Sequence, residues 1–291
     1  MAEPRPRRSV LFIPGANARA MVKARTLAAD GIIFDLEDSV APEAKVAARA
    51  QIAAALKEGG YGQREKVLRV NGAGSEWHED DLRFAATLPI DGVLLPKVEH
   101  AADLRSAEAV LIAAGAPSRL ALWSMMETPL AFLHAEAIAE ATARLRVLVL
   151  GTEDLGKDLR TRARPDRMPF LATLQTCVLA ARAYGLTPLD SVYADFGDAA
   201  GFAAQCQQGR DLGFDGKTLI HPGQIATAND AFAPSAEELD AARALIAAFE
   251  TARAAGKGIA TLNGRMIETL HVEAARRLVA LDAAIAALAS R

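Results

Sequence analysis

Short apolar runs alternate along the chain with longer amphipathic stretches. The runs are SVLFIPG from Ser9, GIIFDLED from Gly31, KVLRVNG from Lys66, GVLLPKV from Gly92, RLALWSMME from Arg119, RVLVLGTEDL from Arg146, SVYADFGD from Ser191 and DGKTLIHP from Asp215. Each has a nearly continuous apolar core, as a parallel strand buried on both faces requires. The segments between them have helical spacing. In Pro42 to Leu56, for example, Val46, Ile52 and Leu56 are expected to share a face. Strand–helix alternation predicts βα units around a parallel sheet. About eight units without a second composition class predict a closed (β/α)8 TIM barrel, an α/β fold of about 250 residues. An open doubly wound sheet is the alternative.

The polar residues of the runs gather at their C-terminal ends: Asp35, Glu37, Asp38, Arg69, Lys97, Glu127, Asp154, Asp195 and His221. In a (β/α)8 barrel these ends open on one mouth, where active sites are built. For any one of them the alternative is a helix cap or a salt bridge in a βα loop.

After the eighth unit the chain continues. Residues 1–232 are read as the catalytic barrel and 233–291 as a C-terminal helical extension, too short for a large core of its own and expected to pack at a subunit interface. Ser235 to Ala255 reads as a helix, with Ser235 and Glu238 spaced as a capping box. A turn at Gly256 to Gly258 and a loop around Asn263-Gly264 are expected before a last helix from Val272 to Ala289.

Composition narrows the function classes. The chain has 291 residues, with 24% charged and a net charge of -3, which gives no reason to expect nucleic acid or an anionic membrane as partner. No apolar stretch reaches the roughly 20 residues that span a bilayer. The basic start, Met1 to Arg8, runs straight into a strand pattern without a signal-peptide core. Cys177 and Cys206 form no CxxC pair and read as reduced structural thiols. A cytoplasmic enzyme is the expectation.

Four groups carry candidate chemistry. Glu127 in MMET and Asp154 in GTEDL stand at separate strand ends. Mg²⁺ takes oxygen ligands and often needs only one or two carboxylates, and no His or Cys pattern points to zinc. The alternative is that both cap the following helices. Asp35 and Glu37 share a strand face, with Asp38 beginning the loop. Three carboxylates so close need neutralising, by a metal and its waters or by Lys45 and Arg49 on the next helix. Arg69, inside an apolar run, needs a partner. It is suited to a substrate carboxylate or enolate oxygen, or to an ion pair with Glu37 or Asp38. Lys97 and Lys217 are either Schiff-base lysines of a metal-free aldolase or ion-pair partners, and the carboxylate pair favours the latter. In the first βα loop, a helix starting near Asn17 carries Arg19 and Lys23 on one face, which suits phosphate groups or plain solvation.

Taken together, RRSVLFIPG, DLEDSV with Lys45, RVNG, LLPKVE, MMETP, GTEDLGKDLR, YADFGD and GFDGKTLIHP resemble the citrate lyase beta-subunit-like family, over essentially the whole chain and in order. That family includes citryl-, malyl- and citramalyl-CoA lyases and malyl-CoA thioesterases. The resemblance implies a Mg²⁺-dependent barrel, a trimer or hexamer, working on an acyl-CoA or carrier-linked acyl thioester. It implies Glu127 and Asp154 as Mg²⁺ ligands, Arg69 as the holder of a substrate oxygen, and Glu37 and Asp38 as the network around metal waters. Phe12, Arg19 and Lys23, with Ile220, His221 and Pro222, fall in the CoA-binding region, although Asn17 replaces an arginine of some relatives. The family's lyases carry an aspartate after Met-Ile or Met-Val that acts across the subunit interface. GRMIETLHV places Glu268 there, one methylene longer. The implied activity is a C–C lyase on a small carboxylated 3-hydroxyacyl-CoA. A thioester hydrolase on the same site and a non-catalytic or partner-dependent subunit are the alternatives.

Overall fold

The structure, a computed structural model, describes residues 5–255 and 259–289. Eight strands pair in sequence order, all parallel, and the last returns to the first to close a barrel. They are β1 Ser9–Pro14, β2 Gly31–Asp35, β3 Glu65–Arg69, β4 Gly92–Leu95, β5 Ala121–Met126, β6 Leu145–Leu150, β7 Thr187–Asp190 and β8 Gly216–Leu219. The open sheet is thereby excluded.

Alternation along each strand sorts the side chains. Val10, Ile33, Val67, Leu94, Trp123, Val147 and Leu189 fill the barrel interior. Their neighbours, such as Leu11, Phe34, Leu68 and Leu148, pack outward under the helices. The N-terminal end of the interior is sealed. Trp123 is fully buried there, the Arg7 guanidinium lies 5.4 Å from its ring, and Arg7 Nε binds Glu65 at 2.6 Å.

Three expectations are corrected. The seventh strand is Thr187–Asp190, and SVYADFGD is the loop that follows it. The strand is only four residues long and contains Pro188, so it lacks the apolar run that marks the others. The helix Lys45–Glu58 buries Ala48, Ile52, Ala55 and Leu56, whereas Val46 is 65% exposed. Asp195 lies on the exposed part of the β7 loop, not at a strand end.

The described chain forms two compact units, Arg7–Phe232 and the residues from Ala233 onward together with Arg5 and Pro6. In the second, Ser235 and Glu238 form the capping box of a helix Ala236–Ala254, and a helix Thr269–Ala289 packs against it. Between them runs an antiparallel hairpin, β9 Ala260–Leu262 and β10 Arg265–Ile267. Its turn is the Asn263-Gly264 pair expected as a loop, both residues at positive φ (51° and 76°), the geometry a two-residue hairpin demands. The turn expected at Gly256 to Gly258 lies outside the described residues. Among the described residues no helix is long and apolar enough to cross a membrane.

Candidate active site

At the C-terminal mouth the inward positions pass from apolar to charged. Ile33 on β2 is followed by Asp35 and Glu37, Val67 on β3 by Arg69, and Met125 on β5 by Glu127, because alternate residues share a face. Asp35 and Arg69 are register partners. Arg69 donates from Nε and Nη2 to the two oxygens of Asp35, at 2.6 Å each, and its Nη1 lies 2.9 Å from Glu37 Oε2. The Phe12 ring packs 4.8 Å from the guanidinium carbon. Burial works against ionising Asp35, but its bonds to Arg69 prevail and hold the carboxyl below its ordinary value. Burial likewise works against charging Arg69, and Asp35, Glu37 and Glu127 more than offset it. Arg69 is therefore a fixed cation. Asp35 takes the Nε hydrogen and one on Nη2, and Nη1 pairs with Glu37, so the fork keeps N–H groups that Asp35 does not occupy.

Glu37 is buried, and burial pushes its carboxyl up against the pull of Arg69 and Lys97. Lys97 Nζ donates to Glu37 Oε1 at 2.6 Å, and the Lys97 backbone N–H donates to Glu127 Oε1 at 2.7 Å. Lys97 makes both bonds from a left-handed backbone, φ 50°, which is uncommon outside glycine. Asp38 is exposed and 3.8 Å from Lys97 Nζ. The neutralising cations are thus Arg69 and Lys97. Lys45 instead donates to the carbonyls of Leu36 and Glu37, and Arg49 binds Asp81 at 2.6 Å.

Glu127 is 3% exposed. Burial, together with the nearby Glu37 and Asp154 carboxylates, pushes it up to about 7, against the Lys97 N–H and Arg69. No donor among the described residues reaches its Oε2, which faces Gly151. Neither Glu127 nor Asp154 is a helix cap. Thr128 caps the helix after β5, and Gly151 stands at the N-cap of Thr152–Leu159, with Asp154 in that helix's first turn.

These residues fit a divalent cation. Asp35, Glu37 and Glu127 gather around Arg69 and Lys97, the Asp154 carboxylate acts on Glu127, and Glu127 offers an oxygen that takes no hydrogen bond from the described residues. Among the described residues no three His, Cys, Asp or Glu side chains form a closed cage. That suits an ion completed by water and substrate.

Other expected residues lie around this centre. Arg19 and Lys23 are exposed on the helix Ala18–Ala24, whose first turn Asn17 caps by accepting from Ala20 N–H. β1 and β8 are neighbours, so the loop bearing Ile220, His221 and Pro222 adjoins that helix's loop. Ile220 is 42% exposed, and His221 stacks on Phe196 with centroids 5.1 Å apart. Phe196 lies in the run SVYADFGD, expected as a strand, and is not among the site residues that the sequence singles out. A cavity of about 500 Å³ opens beside Glu37 and Lys97, walled by Lys45, Asn71, Ser75 and Trp77.

One candidate is removed, and the structural reading of the cysteines stands. Lys217 faces outward from β8 and is fully buried against Asp190, 3.0 Å away, and Gln205, so it meets no substrate. Burial pushes the thiols of Cys177 and Cys206 up to about 12 and about 11, so both stay protonated and inert. Glu268 belongs to the second unit. It is exposed just before the helix Thr269–Ala289, on a groove of about 710 Å³ lined by Phe249, Ile259, Met266 and Leu270.

A family profile described as HpcH/HpaI aldolase/citrate lyase matches residues 8–222. A (3S)-malyl-CoA thioesterase of Cereibacter sphaeroides is 50% identical over 282 residues, 97% of this chain and 96% of that protein. The citrate lyase subunit beta of Escherichia coli is 38% identical, covering 94% and 92%. Among solved structures, CitE of Mycobacterium tuberculosis in complex with magnesium, acetoacetate and coenzyme A superposes with a TM-score of 0.76 at 29% identity, covering 94% of this chain and 97% of that one. The chain belongs to the HpcH/HpaI aldolase/citrate lyase family.

Proposed function

We propose that the protein is a Mg²⁺-dependent enzyme acting on a small 3-hydroxyacyl-CoA, or carrier-linked acyl thioester, that bears a free carboxylate. The observation that carries this is Glu127: a buried carboxylate with one oxygen that takes no hydrogen bond from the described residues, within electrostatic reach of Asp154 and Arg69. Glu127 and Asp154 would hold the ion. When bound, it supplies Lewis-acid stabilisation of developing negative charge on substrate oxygens.

The chain's own residues do the rest. Arg69, held planar by Asp35 and Glu37, orients a substrate carboxylate and steadies charge on its oxygens. Glu37 and Asp38 order water at the rim, and Phe12 shields the guanidinium face. Arg19 and Lys23 take the phosphates of the CoA, with Ile220, His221 and Pro222 along its length. Glu268, delivered by a neighbour's residues 233–291, moves the proton. On this reading the protein is a cytoplasmic homotrimer or hexamer.

C–C cleavage to a shorter acyl thioester and a 2-oxo acid is the first reaction this site fits, in line with the citrate lyase relatives. Hydrolysis of the thioester is the second, favoured by the higher identity of the malyl-CoA thioesterases. A panel of 3-hydroxyacyl-CoAs, incubated with Mg²⁺ or EDTA and analysed by mass spectrometry, separates them. A 2-oxo acid with a shorter thioester marks cleavage; free CoA with an intact hydroxy acid marks hydrolysis. Full turnover in EDTA, or a borohydride-trapped adduct on Lys97, would overturn the metal reading.

A further inference from the structure

Glu37 stands among the metal carboxylates without being one of the two proposed ligands. It is tied to the same centre through Lys97, which bonds Glu127 by its N–H at 2.7 Å and Glu37 by its ammonium at 2.6 Å. Both of its oxygens have nitrogen partners: Oε2 accepts from the Asp38 N–H at 3.3 Å and pairs with Arg69 Nη1 at 2.9 Å, and Oε1 accepts from Lys97 Nζ at 2.6 Å alone among the described residues. Arg69 is also held by Asp35, on the other edge of its fork. Lys97 has no such second strong partner; its remaining carboxylate, Asp38, is exposed and 3.8 Å away.

The backbone around Lys97 is built to keep it there. Asp103 Oδ2 accepts from the N–H groups of Glu99 and His100 at 2.9 Å each, and the His134 ring Nδ1 lies 2.8 Å from the Glu99 carbonyl oxygen. These bonds fix the segment that follows Lys97, whose own backbone is left-handed. One residue thereby binds Glu127 through its N–H and Glu37 through its ammonium.

We propose that Lys97 is a positioning residue that withholds Glu37 from the metal ion, so that Glu127 and Asp154 alone supply protein ligands and the remaining positions stay open to substrate. The inference rests on the metal reading above. Without the ammonium, Glu37 is free to enter the coordination shell. The site then binds a divalent cation more tightly and turns over more slowly, because one open position is lost. A lysine serving only to support the fold would have the opposite effect on metal binding.

The test is Mn²⁺ binding to the full-length protein, followed by electron paramagnetic resonance, with no substrate present. Lys97→Met keeps the backbone N–H on Glu127 and removes the ammonium. It is expected to lower the Mn²⁺ dissociation constant by about tenfold, to change the zero-field splitting of the bound ion, and to lower kcat. Lys97→Arg should stay close to the parent in both binding and spectrum. Glu37→Gln added to Lys97→Met should return the dissociation constant toward the parent's. Should Lys97→Met fail to fold, Lys97→Gln carries the same expectation. Unchanged or weaker Mn²⁺ binding in a folded Lys97→Met or Lys97→Gln protein overturns the proposal, as does tighter binding with an unaltered spectrum. A parent protein that binds no Mn²⁺ overturns the metal reading itself, a distinct result.

Discussion

Gly151 leaves the space that Glu127 occupies: a Cβ on residue 151 would stand 2.7 Å from both Cβ and Oε2 of Glu127. The obstructing atoms belong to a buried side chain with little room to yield. Gly151→Ala is therefore expected to displace the Glu127 carboxylate. Calorimetric titration should show Mg²⁺ affinity reduced by tenfold or more, roughly the effect of about 1.4 kcal/mol, in a protein that still melts cooperatively. Parent-like affinity would show that Glu127 is not a ligand.

Metal stabilisation should depend on pH. The Glu127 carboxyl is pushed up to about 7, first by burial and then by Glu37 and Asp154. Between an unfolded value of about 4.3 and about 7, the folded protein holds a proton that the unfolded chain has lost. Metal-free stability therefore falls as pH rises through this window and levels off above it, a cost on the order of 3 kcal/mol. A cation must displace that proton below pH 7 and need not above it. The rise in Tm on adding Mg²⁺ should thus be larger at pH 8 than at pH 6, and Glu127→Gln should remove the difference. Equal rises at both pH values would contradict the assignment.

Arg69→Lys keeps the charge and loses the fork. The two 2.6 Å bonds to Asp35 and the 2.9 Å contact with Glu37 cannot all be made by one ammonium. We expect kcat/KM to fall about a hundredfold, the order of loss that follows a displacement of about 1 Å at a reacting centre. Unchanged kcat/KM on the best substrate of the panel would leave Arg69 as an ion pair only.

Away from the mouth, Asp190 should matter for stability alone. It is fully buried, takes both Arg167 (2.7 and 2.9 Å) and Lys217 (3.0 Å), and has Arg167 in a left-handed backbone, φ 52°. Asp190→Asn strands two buried cations and should cost about 3–5 kcal/mol in urea unfolding. Asp215→Asn breaks the exposed pair with Arg182 and should cost less than about 1 kcal/mol.

The fifth prediction concerns Glu268. If it works on a neighbour's barrel, mixing inactive Glu268→Gln and Asp154→Asn subunits restores part of the turnover, because some sites then hold both residues intact. Exchange is checked with differently tagged chains. Verified exchange without recovered turnover places Glu268 in its own chain's site or outside the chemistry.

The barrel is legible because seven of its strands carry apolar runs, five of which, β2 to β6, lead into charged residues, and the parity of Asp35, Glu37 and Arg69 along their strands puts them on the inner face. β7 was not, because Pro188 and a length of four residues erase the run. Lys217 looked like a strand-end lysine until its parity was known. It lies beside inward Thr218 but points outward into Asp190, a one-residue difference that composition does not record. The partners of Arg69 were only half legible. Glu37 was expected, whereas the two-point bond to Asp35 follows from the β2–β3 register. The role of Lys97 depends on a left-handed backbone at a residue with no glycine-like signature. At Asn263-Gly264 the sequence carries a turn signal, but flanking strands of three residues are too short to show a strand pattern.

The plugged end of the barrel has a kinetic consequence. With Trp123, Arg7 and Glu65 closing the N-terminal side, whatever reaches Arg69 has one way in and the same way out. On the proposed reading, in which the CoA lies along Ile220, His221 and Pro222, an acid held at Arg69 would sit behind the thioester piece. Two products would have to depart in sequence, the outer thioester piece before the inner acid. The enzyme would behave as a queue, and added CoA thioester would slow escape of the acid without competing for its place.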